Sequence, residues 1–191
     1  MSDERKGGWI KTYSGGQFWP LDPRPEEINL ADIAHALAHT CRYNGHTEQF
    51  YSVAQHSVEV SLAVGREGHD AETQLWGLLH DAGEAYLPDV CRPIKNAMMV
   101  MIDDIPWTFR DVENRIMRCV ASKFGIEPRE PDIVGEFDFR IMSDEAAWLM
   151  DGGTKGWTDF GEPLGIEIVP VRAVMARKRF LERFAQLEGM R

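Results

Sequence analysis

The stretch "LLHDAGEAYLPDV", residues 78–90, places a histidine, two aspartates and a glutamate in a segment that otherwise has the apolar character of a buried helix. A second pair of the same kind, His69-Asp70, lies among charged residues and glycine, where it needs no special partner. A buried imidazole or carboxylate must instead be hydrogen-bonded, paired with an opposite charge or bound to a metal, because desolvating an unpaired charge is costly. The pair His80-Asp81 therefore indicates a polar site inside the fold.

Helical patterns flank this stretch on both sides and predict a mainly α-helical fold. Apolar residues recur with the helical period after Ser52 and after Asp70, and each of these two residues is a candidate N-cap. The helix after Asp70 is expected to run from Ala71 to Leu87, and the helix before Ser52 is expected to end at Asn44-Gly45. Three later helical patterns begin near prolines, which suit the first helical position; they cover about residues 106–124, 131–150 and 170–187.

The N-terminal segment "WIKTYSGGQFWPL", residues 9–21, predicts two short strands joined at Ser14-Gly15-Gly16. The expected architecture is therefore a bundle of six or more helices with a short N-terminal β-hairpin. The length of 191 residues suits a single domain. Its expected parts are a hairpin appendage at about residues 1–27, a metal-binding helical core at about 30–150 and a C-terminal helix at about 170–188.

The composition narrows the classes of partner. Thirty-one acidic and 21 basic residues give a net charge of −10, which would repel a nucleic-acid polymer. A small anionic substrate could still bind where a cation or a local cluster of arginine and lysine reverses the field. Three widely spaced cysteines without a C-x-x-C pair argue against a disulfide framework and a structural zinc knuckle. No run is long and apolar enough to cross a bilayer, so we expect a cytoplasmic protein without a membrane partner.

Metal ligands are expected where a polar residue interrupts an apolar helical stripe. His56 lies three residues after Val53 and four before Val60, which places it on the core-facing side of its helix. Asp144 replaces an expected hydrophobe on a later helix, and three apolar residues share its face: Phe137, Ile141 and Trp148. Three other acidic residues of that helix fall away from the middle of the stripe and are weaker candidates: Glu136, Asp138 and Glu145.

In the opening stretch, spacings of three and four residues would place His80, Asp81 and Glu84 along one rim of a helix. The expected ligand set is His56, His80, Asp81 and Asp144. Two imidazoles and two carboxylates suit manganese, cobalt, zinc or iron better than calcium, with magnesium as an alternative. Such a mixed set leaves positions for water, as catalytic sites do, and Glu84 would orient that water or move its proton.

A rival cluster precedes these residues. Asp32, His35 and His39 have helical spacings, and pairs of histidines four residues apart do bind metals. We interpret them instead as residues that flank the apolar stripe of Ile33 and Leu37.

This arrangement resembles the HD-domain metal-dependent phosphohydrolases. The resemblance depends on His56 in "SVAQHSVEVS", on the His80-Asp81 pair, and on Asp144 in "IMSDEAAW". The order of the motifs is most similar to the bacterial 5′-deoxynucleotidase branch, in which an arginine and an aromatic residue precede the first metal histidine. The matching pair here is Arg42-Tyr43, and the downstream elements of the pattern are Asp89, Pro93 and Lys95. The resemblance covers about residues 30–150.

The resemblance implies an HD-like helical bundle and a role for each matched residue. His56, His80, Asp81 and Asp144 would bind the metal. Two acidic residues, Glu84 and Asp89, would manage the water and the leaving-group oxygen. Three further residues would contact the substrate, and they are Arg42, Tyr43 and Lys95; guanidinium and ammonium groups are both apt for phosphate. The branch prefers tryptophan where this chain has Tyr43, which could still stack on a base or sugar.

The implied activity is the release of phosphate from nucleoside 5′-monophosphates. Two alternatives stay open: a triphosphohydrolase that cleaves deoxynucleoside triphosphates, and a non-catalytic module that binds a nucleotide or a partner protein around a structural metal. A second copy of the chain is also a candidate partner. For that partner the apolar run "NAMMVMIDDIPW", residues 96–107, is a candidate contact surface, or else a pocket lid.

Overall fold

The structure is a computed structural model that describes residues 5–191. Within these residues it is mainly helical, which confirms the expected fold class. The α-helices are α1 (Leu30–His39), α2 (Val53–Arg66), α3 (Ala71–Leu79), α4 (Arg92–Lys95), α5 (Phe109–Phe124), α6 (Asp132–Leu149) and α7 (Ala173–Glu188). The strands are β1 (Ile10–Lys11), β2 (Gln17–Phe18), β3 (Met99–Ile102) and β4 (Ile105–Thr108). No helix in this part of the chain is long and apolar enough to span a membrane.

The chain divides into two compact units. The first unit contains residues 5–36 and 82–129 of the described chain, and the second contains residues 37–81 and 130–191. In the first unit, α5 packs against two 3-10 turns, Pro25–Glu27 and Ala82–Ala85. In the second unit, α2 packs against α3, α6 and α7. The largest fully buried side chains of these helices are apolar: Leu75, Trp76, Leu78, Leu79, Ile141 and Phe180.

The N-terminal hairpin forms as predicted. Strands β1 and β2 are antiparallel, with Ile10 opposite Phe18. The carboxylate of Asp32 accepts hydrogen bonds from the backbone N–H of Ser14, at 2.5 Å, and from its hydroxyl, at 2.9 Å. His35 stacks on Tyr13 at a ring-centroid distance of 3.7 Å. Two members of the rival cluster therefore hold the hairpin to α1.

Both predicted N-caps of the second unit are confirmed. The Ser52 side chain accepts a hydrogen bond from the N–H of Gln55 at 3.2 Å, and the Asp70 carboxylate accepts one from the N–H of Thr73 at 2.8 Å. Each cap satisfies a backbone donor that the first turn of a helix leaves unpaired. The two caps fix where α2 and α3 begin, and His56 consequently lies in the first turns of α2.

Two helices end earlier than the sequence indicates. Helix α3 ends at Leu79, and not at Leu87, because His80 Nδ1 donates to the carbonyl oxygen of Gly77 at 2.8 Å and so satisfies an acceptor of the last turn. Helix α1 ends at His39, and a separate 3-10 turn covers Arg42–Gly45. Within that turn Tyr43 has φ 56° and Asn44 has φ 51°, a left-handed conformation that no continuing helix allows.

Most of the apolar run at residues 96–107 lies in a second hairpin, residues 99–108, which the sequence does not indicate. Strands β3 and β4 pair antiparallel, with Met99 opposite Thr108 and Ile102 opposite Ile105. The turn residues Asp103 and Asp104 have φ 50° and φ 61°. Two consecutive positive φ values match the twist of a tight hairpin, and aspartate tolerates them better than most residues do.

Candidate metal centre

Two histidines of the second unit face each other in its interior. His56 extends from α2 and is completely buried, and His80 is the residue directly after α3. Their Nε2 atoms lie 3.2 Å apart. Asp81 Oδ2 lies 3.4 Å from Nε2 of His80 and 3.8 Å from Nε2 of His56. The ligand atoms of these three residues all lie within 4.8 Å of one another, close enough to hold one metal ion. The structure thus brings together three of the four expected ligands.

The fourth expected ligand, Asp144, lies elsewhere. Its Oδ2 accepts a hydrogen bond from the N–H of Leu164 at 2.7 Å, and its Oδ1 accepts one from the N–H of Ile166 at 2.9 Å. Both oxygens therefore hold the loop between α6 and α7. The expectation that Asp144 joins the histidines is corrected accordingly.

Asp138, one of the weaker candidates, occupies the position expected of Asp144. Its Oδ1 lies 3.0 Å from Nε2 of His56 and 3.8 Å from Nε2 of His80. The reason is the orientation of α6 about its axis. The apolar stripe predicts that Trp148 is buried, but it is 54% exposed, whereas Glu145 and Leu149 are buried. The buried face therefore passes through Glu145, and Asp138, two helical turns before it, points to the same side.

The Nδ1 nitrogen of each histidine already has a hydrogen-bond partner. His80 Nδ1 donates to the carbonyl oxygen of Gly77, which can only accept. His56 Nδ1 lies 2.6 Å from Oε1 of Glu145. Burial by itself would raise the pKa of Glu145, but the charges of Arg42 and His56 outweigh it and lower that pKa to about 2. Glu145 is therefore an ionised acceptor, and both histidines carry a proton on Nδ1.

This tautomer makes a cation between the histidines favourable. With Nδ1 protonated, each neutral ring presents the lone pair of Nε2, and two lone pairs 3.2 Å apart repel each other unless a cation lies between them. The oxygens of Asp81 and Asp138 add negative charge at the same place. Two imidazole nitrogens and two carboxylate oxygens are suitable donors for a divalent transition metal. The residues present fit such an ion.

The pKa shifts within the cluster favour positive charge on the two histidines. Burial lowers the pKa of His80, but Asp81 and Asp138 outweigh it and raise that pKa well above its ordinary value. Burial likewise opposes ionisation of Asp138, yet its hydrogen bonds to the two histidines lower its pKa. A proton and a metal ion therefore compete for the same donors, and metal binding should release protons.

Arg42 and Tyr43, the expected substrate residues of this unit, lie beside the cluster. The Arg42 guanidinium has Nη1 3.3 Å from Oδ2 of Asp81 and Nε 3.4 Å from Oε2 of Glu145. The Tyr43 hydroxyl donates to the same Oε2 of Glu145 at 2.5 Å. The ring of Tyr43 lies 6.4 Å from that of Trp157. The Tyr43 hydroxyl is thus already hydrogen-bonded within the protein, and only the ring is left to contact a base or sugar.

The other expected site residues belong to the first unit. Glu84 lies in the 3-10 turn Ala82–Ala85, and Asp89 lies in the segment before α4. Lys95 Nζ lies 2.7 Å from Oε1 of Glu113 and 4.0 Å from Oε1 of Glu84. Lys95 is thus already paired with carboxylates of its own unit. The roles assigned to Glu84, Asp89 and Lys95 stay predictions.

One further acidic residue, Glu130, is influenced by the charges of the cluster, and no sequence pattern indicates it. Glu130 directly precedes Pro131 and α6, and it belongs to the same unit as the histidines. Burial raises the pKa of Glu130, and the charges of Asp138 and Asp81 raise it further while His80 lowers it. Glu130 lies outside the helices, so no apolar helical stripe indicates that it faces the interior.

No family model matches the chain. The uncharacterized protein RCAP_rcc00048 of Rhodobacter capsulatus is 37% identical over 125 residues, which are 63% of this chain and 60% of that protein. The uncharacterized protein YfdR of Escherichia coli is 31% identical over 186 residues, which are 96% of this chain and 97% of YfdR. Similarity at this level over nearly the whole of both chains shows common descent, and the chain belongs to the same family as YfdR.

Proposed function

We propose that this protein is a metal-dependent phosphohydrolase of the HD type that acts on small nucleotides, releasing phosphate from nucleoside 5′-monophosphates. One observation carries the proposal. Nε2 of His80 and one carboxylate oxygen each of Asp81 and Asp138 lie within 4 Å of Nε2 of His56. The guanidinium of Arg42 lies beside them, 3.3 Å from Oδ2 of Asp81. Together these groups combine cation ligands with a group that recognises phosphate.

His56, His80, Asp81 and Asp138 would hold the cation. When bound there, a divalent ion would supply Lewis acidity toward a phosphoryl oxygen and a water molecule. Glu145 and the carbonyl of Gly77 keep the two rings oriented with Nε2 inward.

The exposure of the ligands favours a catalytic site over a structural one. The Asp81 and Asp138 side chains are 20% and 30% exposed, whereas those of His56 and His80 are 0% and 5% exposed. The histidines thus close the inner side of the site, and the carboxylates border solvent. A structural metal is normally enclosed by its protein ligands, whereas a catalytic one keeps a position that water or substrate can reach.

Arg42 would bind the phosphate of the substrate. Its guanidinium is always charged and offers a planar fork of donors that matches two phosphate oxygens. With a net charge of −10, the protein can attract an anion only where positive charge is concentrated. Arg42 and the cation together would provide that concentration.

Glu84, Asp89 and Lys95 enter the proposal through the sequence pattern. Glu84 follows Asp81 by three residues and would orient the attacking water and accept its proton. Asp89 would assist at the leaving-group oxygen, and Lys95 would contact phosphate.

The test is product release from a panel of ribo- and deoxynucleotides with one, two or three phosphates, in the presence of Mn²⁺, Co²⁺, Zn²⁺ or Mg²⁺. His80→Ala should abolish release, and His69→Ala is the matched control because His69 belongs to the His-Asp pair outside the cluster. Phosphate as the product from monophosphates supports the nucleotidase. Triphosphate as the product would instead identify a triphosphohydrolase.

Folded, metal-loaded protein that releases nothing from any of these nucleotides would overturn the proposal. The non-catalytic nucleotide- or partner-binding module would then be the better interpretation. Equal activity in His80→Ala and wild type would also overturn it, because the activity would then come from another site or from a contaminant.

A further inference from the structure

The carboxylate oxygens that face the two histidines are also the oxygens that face Arg42. Oδ2 of Asp81 lies 3.3 Å from Nη1 of Arg42 and 3.4 Å from Nε2 of His80. Oδ1 of Asp138 lies 3.9 Å from Nη2 of Arg42 and 3.0 Å from Nε2 of His56. The guanidinium is therefore directed at both of the oxygens that would ligate a cation.

A guanidinium and a divalent cation cannot share these oxygens without cost. Both are positive, and at separations of a few ångströms inside a protein their repulsion is much larger than in water. The Arg42 side chain is only 13% exposed, so solvent screens this repulsion weakly. A cation that binds Asp81 and Asp138 would remove most of the charge that attracts Nη1 and Nη2 of Arg42.

Glu145 distinguishes this arrangement from an ordinary ion pair. Its Oε2 lies 3.4 Å from Nε of Arg42, and its Oε1 lies 2.6 Å from Nδ1 of His56. These two contacts do not involve the carboxylate oxygens of Asp81 and Asp138 that would face the cation. Glu145 can therefore keep the base of the guanidinium in place while Nη1 and Nη2 lose their partners. Those two nitrogens are the ones that form a fork toward a phosphate.

We propose that Arg42 is an internal competitor of the metal, which a bound cation displaces from Asp81 and Asp138 and so makes available to the phosphate of the substrate. The inference rests on the proposed function for the site and the substrate class, and it adds an order of events. Arg42 would become available to the anion only after Asp81 and Asp138 hold the cation.

The first experiment measures the affinity for Co²⁺ in the absence of any nucleotide, by calorimetry and by the visible absorption of the bound ion. Arg42→Gln should bind Co²⁺ about tenfold more tightly than wild type, because the competing charge is gone. Arg42→Lys, which keeps the charge, should stay closer to wild type. Lys178→Gln is the matched control for net charge, since Lys178 is 63% exposed on α7 and pairs only with Glu182 among the ion pairs of the described chain.

The second experiment uses wild-type protein and does not depend on a variant that folds. Phenylglyoxal modifies accessible guanidinium groups, and mass spectrometry reports the rate at Arg42. Co²⁺ should increase the rate at Arg42, and inorganic phosphate added after Co²⁺ should decrease it again. An exposed arginine such as Arg110 gives the internal reference.

Equal or weaker Co²⁺ binding by folded Arg42→Gln would overturn the inference, and so would a rate of modification that Co²⁺ leaves unchanged or lowers. Neither outcome contradicts the phosphohydrolase, which requires only that metal and phosphate both bind. Conversely, tighter Co²⁺ binding by Arg42→Gln in a protein that hydrolyses no nucleotide would support the competition and overturn the proposed function. Wild-type protein that binds no divalent cation would overturn both.

Discussion

Nδ1 of His56 lies 2.6 Å from Oε1 of Glu145, and both side chains are completely buried. A carboxylate in this position fixes the tautomer of the imidazole, because it accepts the Nδ1 proton and leaves the Nε2 lone pair for a metal. The other oxygen of Glu145 accepts from the Tyr43 hydroxyl. One buried carboxylate therefore joins a proposed metal ligand to the turn that carries the proposed phosphate-binding arginine.

We expect Glu145→Gln to weaken Co²⁺ binding by about 10- to 100-fold, the usual effect of removing a carboxylate that supports a metal histidine. The amide keeps the size of the side chain but loses its charge, so it holds the His56 tautomer less firmly. A titration followed by the visible absorption of Co²⁺ measures the change. Glu59→Gln is the control, since Glu59 is a half-buried carboxylate on α2 and the structure gives it no hydrogen bond to a ligand of the cluster. Equal affinities in the two variants would contradict the role of Glu145.

The two aspartates of α6 should separate metal binding from stability. Asp138→Asn should greatly reduce Co²⁺ affinity and, at a pH high enough for His56 and His80 to be neutral, change the free energy of unfolding little. Asp144→Asn should leave Co²⁺ affinity unchanged and lower the free energy of unfolding by about 1–3 kcal/mol, because the N–H groups of Leu164 and Ile166 lose charged acceptors. Urea unfolding and a Co²⁺ titration on both variants measure the two quantities. A loss of metal binding in Asp144→Asn without a loss of stability would restore the sequence-based assignment.

The apolar period of a helix predicts its buried face correctly for His56 on α2 but selects the wrong aspartate on α6. His56 was placed correctly because the apolar residues on either side of it, Val53 and Val60, are both buried and fix the face of α2. On α6 the stripe was extended to Trp148, a large apolar residue that is in fact 54% exposed. Phe137, Ile141 and Asp144 are buried as the stripe predicts, but the buried face also includes Glu145 and Leu149. Successive residues of a helix point about 100° apart, so extending the stripe to Trp148 centres it too far from Glu145 and from Asp138, two turns earlier. The pattern therefore favours Asp144 over Asp138 as a ligand.

The errors at helix ends have a different cause. Ser52 and Asp70 could be predicted as caps because a side-chain acceptor at the start of a helix is a local feature of the sequence. The end of α3 at Leu79 depends on a hydrogen bond from the His80 ring to Gly77, and the orientation of that ring is set by residues distant in sequence. The hairpin at residues 99–108 is not indicated by the sequence, because its turn is formed by Asp103-Asp104 and lacks the asparagine-glycine or aspartate-glycine pair that marks such turns.

The stability of the protein in EDTA should depend on pH through the two histidines. Burial opposes their ionisation, but neighbouring carboxylates raise the pKa values of His56 and His80 above the ordinary 6.5. A group whose pKa rises on folding contributes stability that is fully present below its unfolded pKa and is lost as the pH rises through its folded pKa. The free energy of unfolding should therefore fall as the pH is raised above 6.5. Urea unfolding at a series of pH values measures this decline.

Saturating Co²⁺ should oppose that decline, because the deprotonated rings are the form that binds the ion. His80→Ala should show a smaller decline than wild type, and His69→Ala should show the same decline as wild type. A wild-type curve in EDTA that rises above pH 6.5 would contradict this prediction, because it would mean that folding does not raise the pKa values of the two histidines.

The last prediction separates an enzyme from a binding module. Glu84→Gln should keep Co²⁺ affinity and lower kcat by about 100-fold or more, the usual effect of removing a general base. Glu113→Gln is a matched control, because the Glu113 carboxylate lies 2.7 Å from Lys95 Nζ and the Glu84 carboxylate lies 4.0 Å from it. Both variants disturb the pairing of Lys95, but only Glu84 has a proposed part in proton transfer. Equal losses of kcat in the two variants would mean that Glu84 acts through Lys95. The general base would then have to be sought elsewhere, first at Glu130, whose pKa is raised by burial.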